Sequence, residues 1–369
     1  MNDVRCDASE LPEVSIVVVS CNGRALLAES LASLAAQDYP AERVETIVYD
    51  NGSSDGTRDW LASAWPRVRV LAGAANLGFA VPNNRAAEHA GAPLLCLVNN
   101  DMRFATSFLR ELVRARAQTG ASCVGARILT HDGSRIEFDG GTMNFYGHGA
   151  PHRHGAAAAA HEAEIEPEET LFASGGALLV ERATFLAAGG FDEDYFAYFE
   201  DVDFGWRLWV LGERCVHAPA ARAFHREHGS EQLLAAGRRM LLLERNALLS
   251  AYKNYEPERG ARVFACALAL LAERARLDPS RRAACEQGLI GALDVLPAVE
   301  RRRRELVSRR KRADRDIVRL FREPWRPPIG GAAYAARQRV LAAAFAADDL
   351  LPADDQGMVR PGEERAACA

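Results

Sequence analysis

The first hundred residues alternate short apolar-rich runs with segments whose apolar residues recur at helical spacing. Residues 14–19, 44–49, 68–71 and 94–98 have the length and composition of buried strands. Residues 24–37 carry apolar side chains at 26, 27, 31, 34 and 35, which is the spacing of one helix face. Strands that alternate with helices in this way predict an α/β fold with a parallel sheet and crossover helices.

Beyond residue 105 a longer and less regular series of elements follows. One predicted strand contains a Ser-Gly-Gly kink, where the missing side chains of Gly175 and Gly176 allow another group to approach the backbone closely. Past Pro257 the chain is rich in Ala and Arg at helical spacing, which predicts a mainly helical C-terminal region. The predicted elements in this part are a helix over 107–119, a hairpin over 124–129 and 134–141, a strand over 171–180, a helix over 182–188, a strand from about 214, and helices over 263–277 and 284–299.

Polar side chains follow each of the first four predicted strands at its carboxyl end. Ligands bind at that edge in open α/β sheets. The clusters together favour a nucleotide, because its base, ribose and diphosphate need several separate polar contacts. For Ser53 and Asp55, helix capping is an equally good explanation. The candidate binding residues are Ser20, Asn22, Asp50, Ser53, Asp55, Asn76, Asn83, Asn99 and Asp101.

The run that ends in Leu97-Val-Asn-Asn-Asp101 is a candidate metal-binding strand end. The sequence has neither a glycine-rich dinucleotide fingerprint after the first strand nor a P-loop, so a bound diphosphate needs another charge partner. If the extended backbone persists, Asn99 and Asp101 point to one side and Asn100 to the other. Oxygen ligands placed in this way suit Mg²⁺ or Mn²⁺. A plain turn is the alternative for this motif taken alone.

Three acidic residues, Glu200, Asp201 and Asp203, follow a stretch that is dense in aromatic side chains. Acidic residues stabilise the first turn of a helix, which is the simplest explanation for Glu200. Aromatic neighbours also desolvate a carboxylate and raise its pKa towards the range of a general base. Further along, His225 ends a predicted strand, where a neutral imidazole can complete a metal shell that begins with Asp101.

Composition describes an ordinary soluble globular protein. Of 369 residues 49% are hydrophobic and 26% are charged, and the net charge of −5 gives no reason to expect nucleic-acid binding. The eight Cys show no C-x-x-C and no zinc-type spacing, which favours a reducing cytoplasm. The polar, acidic start lacks the character of a signal peptide. The longest apolar stretches, about ten residues, are shorter than the roughly twenty that a membrane span needs.

Four histidines lie among Gly, Pro and Ala in the middle of the chain. Because this segment lacks a regular scaffold, a mobile loop is a better interpretation than a metal site. A loop of this length beside an active site can act as a lid or as an acceptor-binding flap. The four are His148, His152, His154 and His161.

Residues 300–323 contain eleven basic and five acidic residues and have apolar positions roughly on one stripe. A basic amphipathic helix of this kind can lie on an anionic membrane surface, here the inner face of the plasma membrane. The alternative is a helix that packs on the catalytic part of the chain or pairs two subunits into a homo-oligomer. Residues 351–369 are predicted to form a disordered tail.

Eight motifs together resemble those of the family 2 glycosyltransferases with a GT-A fold, in particular the rhamnosyltransferase-like bacterial branch. They occur in the family's order over about residues 12–255, which are therefore predicted to form the catalytic domain, with 256–350 as a helical C-terminal region. The motifs are Val14-Ser-Ile-Val-Val-Val-Ser-Cys-Asn-Gly, Asp50-Asn-Gly-Ser-Ser-Asp-Gly-Thr, Asn76-Leu-Gly-Phe-Ala, Leu97-Val-Asn-Asn-Asp, Gly189-Gly-Phe-Asp-Glu, Phe199-Glu-Asp-Val-Asp-Phe, His225-x-x-His-Gly-Ser and Glu244-Arg-Asn.

The resemblance implies a metal-dependent, inverting transfer of a sugar from a nucleotide-diphospho-sugar, such as dTDP-rhamnose or a UDP-sugar. The acceptor is a hydroxyl of a glycan, a lipid-linked sugar or a small molecule. Asn99 and Asp101 stand where the family has its D-x-D motif, with Asp101 facing Mg²⁺ or Mn²⁺. The residues that the resemblance places at the base and ribose are Ser20, Asn22, Asp50, Asp55 and Asn76.

The resemblance also implies roles for the later motifs. Asp201 matches the general base of the family's Glu-Asp motif, and Glu200 is the fallback. His225 fits the metal-contacting histidine best, and His228 is the alternative.

Three other functions use some of the same features. A nucleotidyltransferase of similar shape would need a Gly-rich, Lys-containing signature near the first strand, which Ser20-Cys-Asn-Gly-Arg24 does not provide. Glycoside hydrolysis uses a similar pair of carboxylates but needs no nucleotide pocket. A catalytically inactive homologue that serves as a binding or scaffold protein is the third alternative, and the presence of Asp101, Asp201 and His225 argues against it.

Overall fold

The computed structural model describes residues 11–226, 236–321 and 331–350. The chain divides into two compact units. The domain boundary that the sequence predicts between residues 255 and 256 remains a prediction. The helix over 236–254 belongs with the C-terminal helices. The first unit takes the described residues of Met1–Gly141, Pro151–Leu208 and Glu213–Leu233, and the second those of Thr142–Ala150, Trp209–Gly212 and Leu234–Ala369.

Twelve strands and eleven α-helices occur in the described ranges. The strands are β1 (Val14–Ser20), β2 (Val44–Asp50), β3 (Arg69–Ala72), β4 (Leu94–Asn99), β5 (Met102–Phe104), β6 (Cys123–Thr130), β7 (Ile136–Phe138), β8 (Gly141–Met143), β9 (Gly149–Pro151), β10 (Glu168–Glu169), β11 (Ala177–Glu181) and β12 (Cys215–His225). The helices are α1 (Arg24–Ala35), α2 (Thr57–Ala64), α3 (Ala80–His89), α4 (Phe108–Thr119), α5 (Arg182–Ala187), α6 (Glu200–Val210), α7 (Ala236–Asn254), α8 (Pro257–Leu277), α9 (Arg282–Ser308), α10 (Asp314–Ile317) and α11 (Gly331–Ala344).

The described part of the first unit is organised on one ten-stranded sheet with the order β10-β12-β6-β11-β4-β1-β2-β3. Strand β5 pairs with β12, and β7 pairs with β6. Strands β1 to β4 are parallel, which confirms the predicted crossover pattern in this half. The sheet as a whole is mixed, because β11 runs antiparallel between β4 and β6.

The register of β1 explains how the polar strand ends meet. The apolar run Val14-Ser-Ile-Val-Val-Val19 is buried apart from a partly exposed Val19, as a central strand flanked on both sides should be. Val14 pairs with Val44 of β2 and Leu94 of β4, so the three strands start level. Because the strands are parallel and in register, their polar carboxyl ends lie at one edge of the sheet.

The second unit contains helices α7 to α11 in its described part, and a buried ion pair lies among them. Arg274 on α8 donates to Glu244 on α7 at 2.6 Å and to the Tyr334 hydroxyl on α11 at 2.8 Å. The Tyr146 hydroxyl, from the segment between β8 and β9, lies 3.2 Å from that of Tyr334. Helix α7 was not predicted from the sequence, although its Glu244-Arg-Asn motif was noted.

The basic segment 300–323 differs from its prediction. Helix α9 ends at Ser308, and α10 and a short 3-10 turn over Val318–Leu320 follow a break. The prediction of one continuous amphipathic helix is therefore wrong. Residues 322 and 323 lie outside the described ranges. Five apolar residues form the predicted stripe of this segment. Ala313 is half-buried, and the other four are buried, namely Leu306, Ile317, Leu320 and Phe321.

The histidine-rich segment carries some regular structure, namely β9, a 3-10 helix over Ala158–His161 and β10. His148 is buried, with Nε2 3.3 Å from Glu244 in the second unit. Nδ1 of His161 lies 3.1 Å from Glu164. Across the described ranges, no group of three or more His, Cys, Asp and Glu is arranged to hold a metal ion.

A search of the described helices for a membrane span finds none that is both long and apolar enough to cross a bilayer. The predicted tail, residues 351–369, lies outside the described residues.

Candidate active site

Asp101 and His225 meet at the carboxyl edge of the sheet. His225 ends β12 and pairs across the antiparallel ladder with Met102 of β5, the residue after Asp101. The backbone N–H of Arg226 donates to the Asp101 carbonyl at 2.9 Å, which fixes the two segments together. As a result Nε2 of His225 lies 3.6 Å from Oδ1 of Asp101. The alternative ligand His228 lies outside the described residues.

This pair of side chains fits a divalent cation. An octahedral ion holds neighbouring ligand atoms about 3 Å apart, so a 3.6 Å separation needs only a small adjustment. Burial alone would lower the pKa of His225, but the neighbouring carboxylates of Asp101 and Glu137 raise it to about 10. The surroundings therefore already favour positive charge at this position. A carboxylate oxygen and an imidazole nitrogen are ligands that Mn²⁺ accepts.

The Ser-Gly-Gly kink brings Asn99 and Asp201 close together. The N–H of Asn99 donates to the Gly176 carbonyl at 2.9 Å. A methyl group on Gly176 would lie 3.0 Å from Nδ2 of Asn99, and one on Gly175 would lie 3.6 Å from Cβ of Asp201. Only the backbone of the two glycines thus lies between Asn99 and Asp201, and a methyl group on Gly176 would meet the flexible side chains of Met102 and Asn99.

Asp201 and Glu200 begin helix α6 and differ in their partners. Burial raises the pKa of Glu200 well above its ordinary value, and the negative charge of Asp201 raises it further. Burial also raises the pKa of Asp201, but the N–H groups of Gly175 at 3.0 Å and Val202 at 2.8 Å oppose this rise. Because two backbone donors stabilise one carboxylate, the pair carries its negative charge on Asp201 and its proton on Glu200. Asp203, by contrast, is fully buried in an ion pair with Arg207 at 2.7 Å.

The turn before α6 is strained. Phe196, Tyr198 and Phe199 all have positive φ, at 63°, 68° and 63°. Such a conformation costs a bulky residue on the order of 1–3 kcal/mol and is concentrated at functional sites. The Phe196 carbonyl accepts the N–H of Phe79 at the start of α3 at 2.5 Å, which ties this turn to the loop after β3. This hydrogen bond, together with that from Gly175 to Asp201, holds the start of α6 at the same edge of the sheet.

The loops after β1 and β2 interlock through predicted site residues. Asn22, at φ 51°, accepts the N–H of Ser54 at 2.7 Å, and its own N–H donates to Oγ of Ser53 at 2.9 Å. Asp55 accepts the N–H of Thr57, the first residue of α2, at 3.1 Å, but the N-cap of α2 is Gly56, so neither Ser53 nor Asp55 occupies the capping position. Burial opposes a low pKa at Asp55, yet the hydrogen bonds from Thr57 lower it. The side chains form a rigid rim, and their role in donor binding stays a prediction.

The remaining predicted donor-binding residues are held by neighbours at the same edge. Oγ of Ser20 accepts from Nδ2 of Asn100 at 2.9 Å, and the buried carboxylate of Asp50 pairs with Nε of Arg58 at 2.9 Å. Asn76 accepts the N–H of Gly78 at 2.9 Å. Asn83 is buried and donates to the Phe79 carbonyl of its own helix at 2.9 Å.

Some residues of the site were not singled out from the sequence. Asn51 donates to Asn76 at 3.1 Å and accepts the N–H of Leu77 at 3.0 Å, so it joins the loops after β2 and β3. Asn51 and Asn100 lie inside two of the eight motifs, so their position in those motifs was the signal that could have identified them. Glu137, which contacts His225, had no such signal because it comes from a distant strand.

Comparison with known proteins agrees with this fold. A family model described as "Glycosyl transferase family 2" matches residues 15–172. An N-acetylglucosaminyl-diphospho-decaprenol L-rhamnosyltransferase of Mycobacterium tuberculosis is 33% identical over an alignment of 233 residues that covers 57% of this chain and 75% of that protein. The chain is therefore a glycosyltransferase.

Solved structures support the same fold at low sequence identity. GalNAc-T7 with UDP, GalNAc and Mn²⁺ superposes with a TM-score of 0.56 at 17% identity, over 72% of this chain and 53% of that one. TarS 1-349 of S. aureus superposes with a TM-score of 0.52 at 14% identity, over 93% and 89% of the two chains. The protein belongs to glycosyltransferase family 2, in a rhamnosyltransferase-like branch, and has the GT-A fold, as predicted.

Proposed function

We propose that this protein is a divalent-metal-dependent, inverting glycosyltransferase that moves a sugar from a nucleoside diphosphate donor to an acceptor hydroxyl. L-Rhamnose on dTDP is the first donor to test and a UDP-sugar the second, because the Mycobacterium tuberculosis relative is named a rhamnosyltransferase. The same name suggests a polyprenyl-diphosphate-linked amino sugar as acceptor. One observation carries the proposal: the sheet edge that holds Asp101 with His225 also brings Asn99 and Asp201 to the bare Gly175-Gly176 backbone.

Asp101 and His225 would hold the cation. Mn²⁺ or Mg²⁺ at this place supplies positive charge that stabilises the departing diphosphate. The buried carboxylate of Asp101, only 1% exposed at its side chain, provides a fixed negative anchor. Solved structures with this fold are described with Mn²⁺ and with UDP or GDP-mannose, which supports the same arrangement here.

Asp201 is the general base in this proposal. Its carboxylate takes the proton of the acceptor hydroxyl as the acceptor oxygen bonds to the anomeric carbon. The bond from that carbon to the donor phosphate breaks, and the nucleoside diphosphate leaves with the electron pair. A single displacement of this kind inverts the configuration at the anomeric carbon. Glu200 keeps its proton and so leaves the charge of the pair on Asp201.

The interlocked loops after β1, β2 and β3 would receive the nucleoside. Asn22, Ser53 and Asp55 form one part of this rim, and Asp50 and Asn76 another. Rigid loops on a sheet edge reduce the entropy that donor binding must overcome.

Donor binding with and without metal tests the proposal. The wild type and Asp101→Ala are titrated with dTDP-rhamnose, UDP-GlcNAc, UDP-glucose and GDP-mannose, with Mn²⁺ or with EDTA. Slow hydrolysis is followed by release of the free nucleotide. We expect one donor to bind and hydrolyse only with metal in the wild type, and neither to occur in Asp101→Ala. If no donor binds the wild type under any condition, the inactive-homologue alternative replaces this proposal.

We also propose peripheral contact with an anionic membrane, where a lipid-linked acceptor would be found. The exposed Arg301 and Arg304 near the end of α9 support it, while the buried apolar stripe supplies no insertion surface. Sedimentation with phosphatidylglycerol vesicles should decrease in Arg301→Glu/Arg304→Glu, and equal binding to phosphatidylcholine vesicles would contradict an electrostatic contact.

A further inference from the structure

Glu137 lies at an irregularity of the sheet close to the metal-side residues. Strand β7 pairs with β6 so that Ile136 is opposite Leu129 and Phe138 is opposite Ile128. Three residues of β7 therefore face two of β6, which makes Glu137 the extra residue of a β-bulge. A bulge leaves its extra residue outside the ladder and redirects the side chain.

The redirected side chain contacts the imidazole that faces Asp101. Oε2 of Glu137 lies 2.7 Å from Nδ1 of His225, and the other ring nitrogen, Nε2, lies 3.6 Å from Oδ1 of Asp101. The side chains of Glu137 and His225 are 13% and 21% exposed. The ring is thus held between two carboxylates, one on each nitrogen.

We propose that Glu137 is a positioning residue for the metal site, which keeps the proton of His225 on Nδ1 and turns Nε2 towards the cation beside Asp101. A neutral imidazole has one donor and one acceptor nitrogen, so the partner of the donor nitrogen decides which nitrogen can bind a metal. A carboxylate on the outer nitrogen also raises the basicity of the ligand. This inference rests on the proposed metal-dependent function.

The backbone that carries Glu137 is held firmly. The Glu137 carbonyl lies 3.0 Å from Nδ1 of His154. Two residues further on, the buried Asp139 binds Arg127 at 2.7 Å and His217 at 2.6 Å. A supporting residue must itself be fixed if it is to orient a ligand, and these contacts fix it.

The contact between Glu137 and His225 contributes little to the stability of the fold. Oε1 of Glu137 is buried, and within the described part of the chain it has no hydrogen-bond partner. A buried, incompletely satisfied carboxylate costs folding free energy. The contact of Oε2 with His225 is therefore the feature that Glu137 contributes.

Mn²⁺ affinity measured without turnover tests this role. Free Mn²⁺ is followed by its electron paramagnetic resonance signal while the full-length protein is titrated in the presence of dTDP or UDP, whichever the wild type binds. The variants are Glu137→Ala, Glu137→Gln and the matched control Glu166→Gln, which removes one exposed loop carboxylate that pairs with Gln118. We expect the dissociation constant for Mn²⁺ to rise about 10- to 100-fold in Glu137→Ala. The dissociation constant should rise less in Glu137→Gln, because the amide oxygen can still accept from Nδ1 of His225. In Glu166→Gln it should equal that of the wild type.

Nucleotide affinity in EDTA separates positioning from general damage. It should be the same in all four proteins, because Glu137 acts only through His225. An Mn²⁺ affinity of Glu137→Ala within about twofold of the wild type overturns the inference while the proposed function stands. The inference is also overturned if Glu137→Ala and Glu137→Gln both lose nucleotide affinity in EDTA to the same extent. A wild type that binds and turns over its donor without taking up Mn²⁺ refutes the metal dependence itself, and the inference with it.

Discussion

Replacement of Asp139 by Asn removes a buried negative charge that pairs with Arg127 and Arg153. The Asp139 side chain is fully buried and accepts from Nε of Arg127 at 2.7 Å, from Nη1 of Arg153 at 2.7 Å and from Nε2 of His217 at 2.6 Å. Arg127 is only 2% exposed, so it cannot turn to water when its partner is lost. The variant therefore leaves a buried guanidinium without its carboxylate.

The expected loss is large. Breaking a buried ion pair from one side costs about 3–5 kcal/mol. For a domain of roughly 150–250 residues, each kcal/mol shifts the melting temperature by about 2–4 °C, so a decrease on the order of 10 °C follows. The control is Asp38→Asn, which removes an exposed partner of Arg110 and should cost less than about 1 kcal/mol.

The effect of Asp139 should also depend on pH in a defined direction. Burial raises the pKa of Asp139, but the hydrogen bonds from His217, Arg127 and Arg153 lower it far below its ordinary value. A group with a lowered folded-state pKa contributes its full stability above the unfolded-state pKa of about 3.9 and loses it as the pH falls towards the folded value. Calorimetric melting of Asp139→Asn should differ most from the wild type at neutral pH, and the difference should shrink below about pH 4. Melting curves of Asp139→Asn and Asp38→Asn that coincide at pH 7 would refute the reasoning.

Two further predictions concern the site backbone and the helical unit. In Gly176→Ala the new methyl would lie 2.8 Å from Cε of Met102 and 3.0 Å from Asn99. Because both side chains can give way, we expect an almost unchanged melting temperature. The dissociation constant for the donor, measured by calorimetric titration, should rise about tenfold or more, and an unchanged constant would contradict this prediction. In Glu244→Gln the buried Arg274 loses its carboxylate, so thermal unfolding should show about 3–5 kcal/mol of destabilisation, and a loss below about 1 kcal/mol would contradict it.

Much of the sheet edge could be read from the sequence because the signals there are local. Each polar cluster after β1, β2 and β4 lies at the end of its own apolar run in the sequence. Parallel pairing alone is enough to bring Ser20, Asp50 and Asn99 to one edge. His225 could be assigned only by its position at a strand end and by the family resemblance.

The parts that escaped prediction depend on contacts between distant segments. The partner of His225 comes from 88 positions earlier and reaches it through a bulge, which has no periodic signature. Arg58 was not foreseen as the partner of Asp50, because a surface helix gives no sign of which strand end it covers. The segment 300–323 was predicted as one helix because composition and spacing do not show where the break after Ser308 falls.

The assignment of the general base is tested most directly by single-turnover transfer with Asp201→Asn and Glu200→Gln. With the donor and metal that the wild type uses, Asp201→Asn should lose about 10²- to 10⁴-fold in the transfer rate and keep its donor affinity. Glu200→Gln should remain within about tenfold of the wild type, because that side chain already carries a proton. A reversed pattern, with an active Asp201→Asn and an inactive Glu200→Gln, would contradict the assignment of Asp201 as the base.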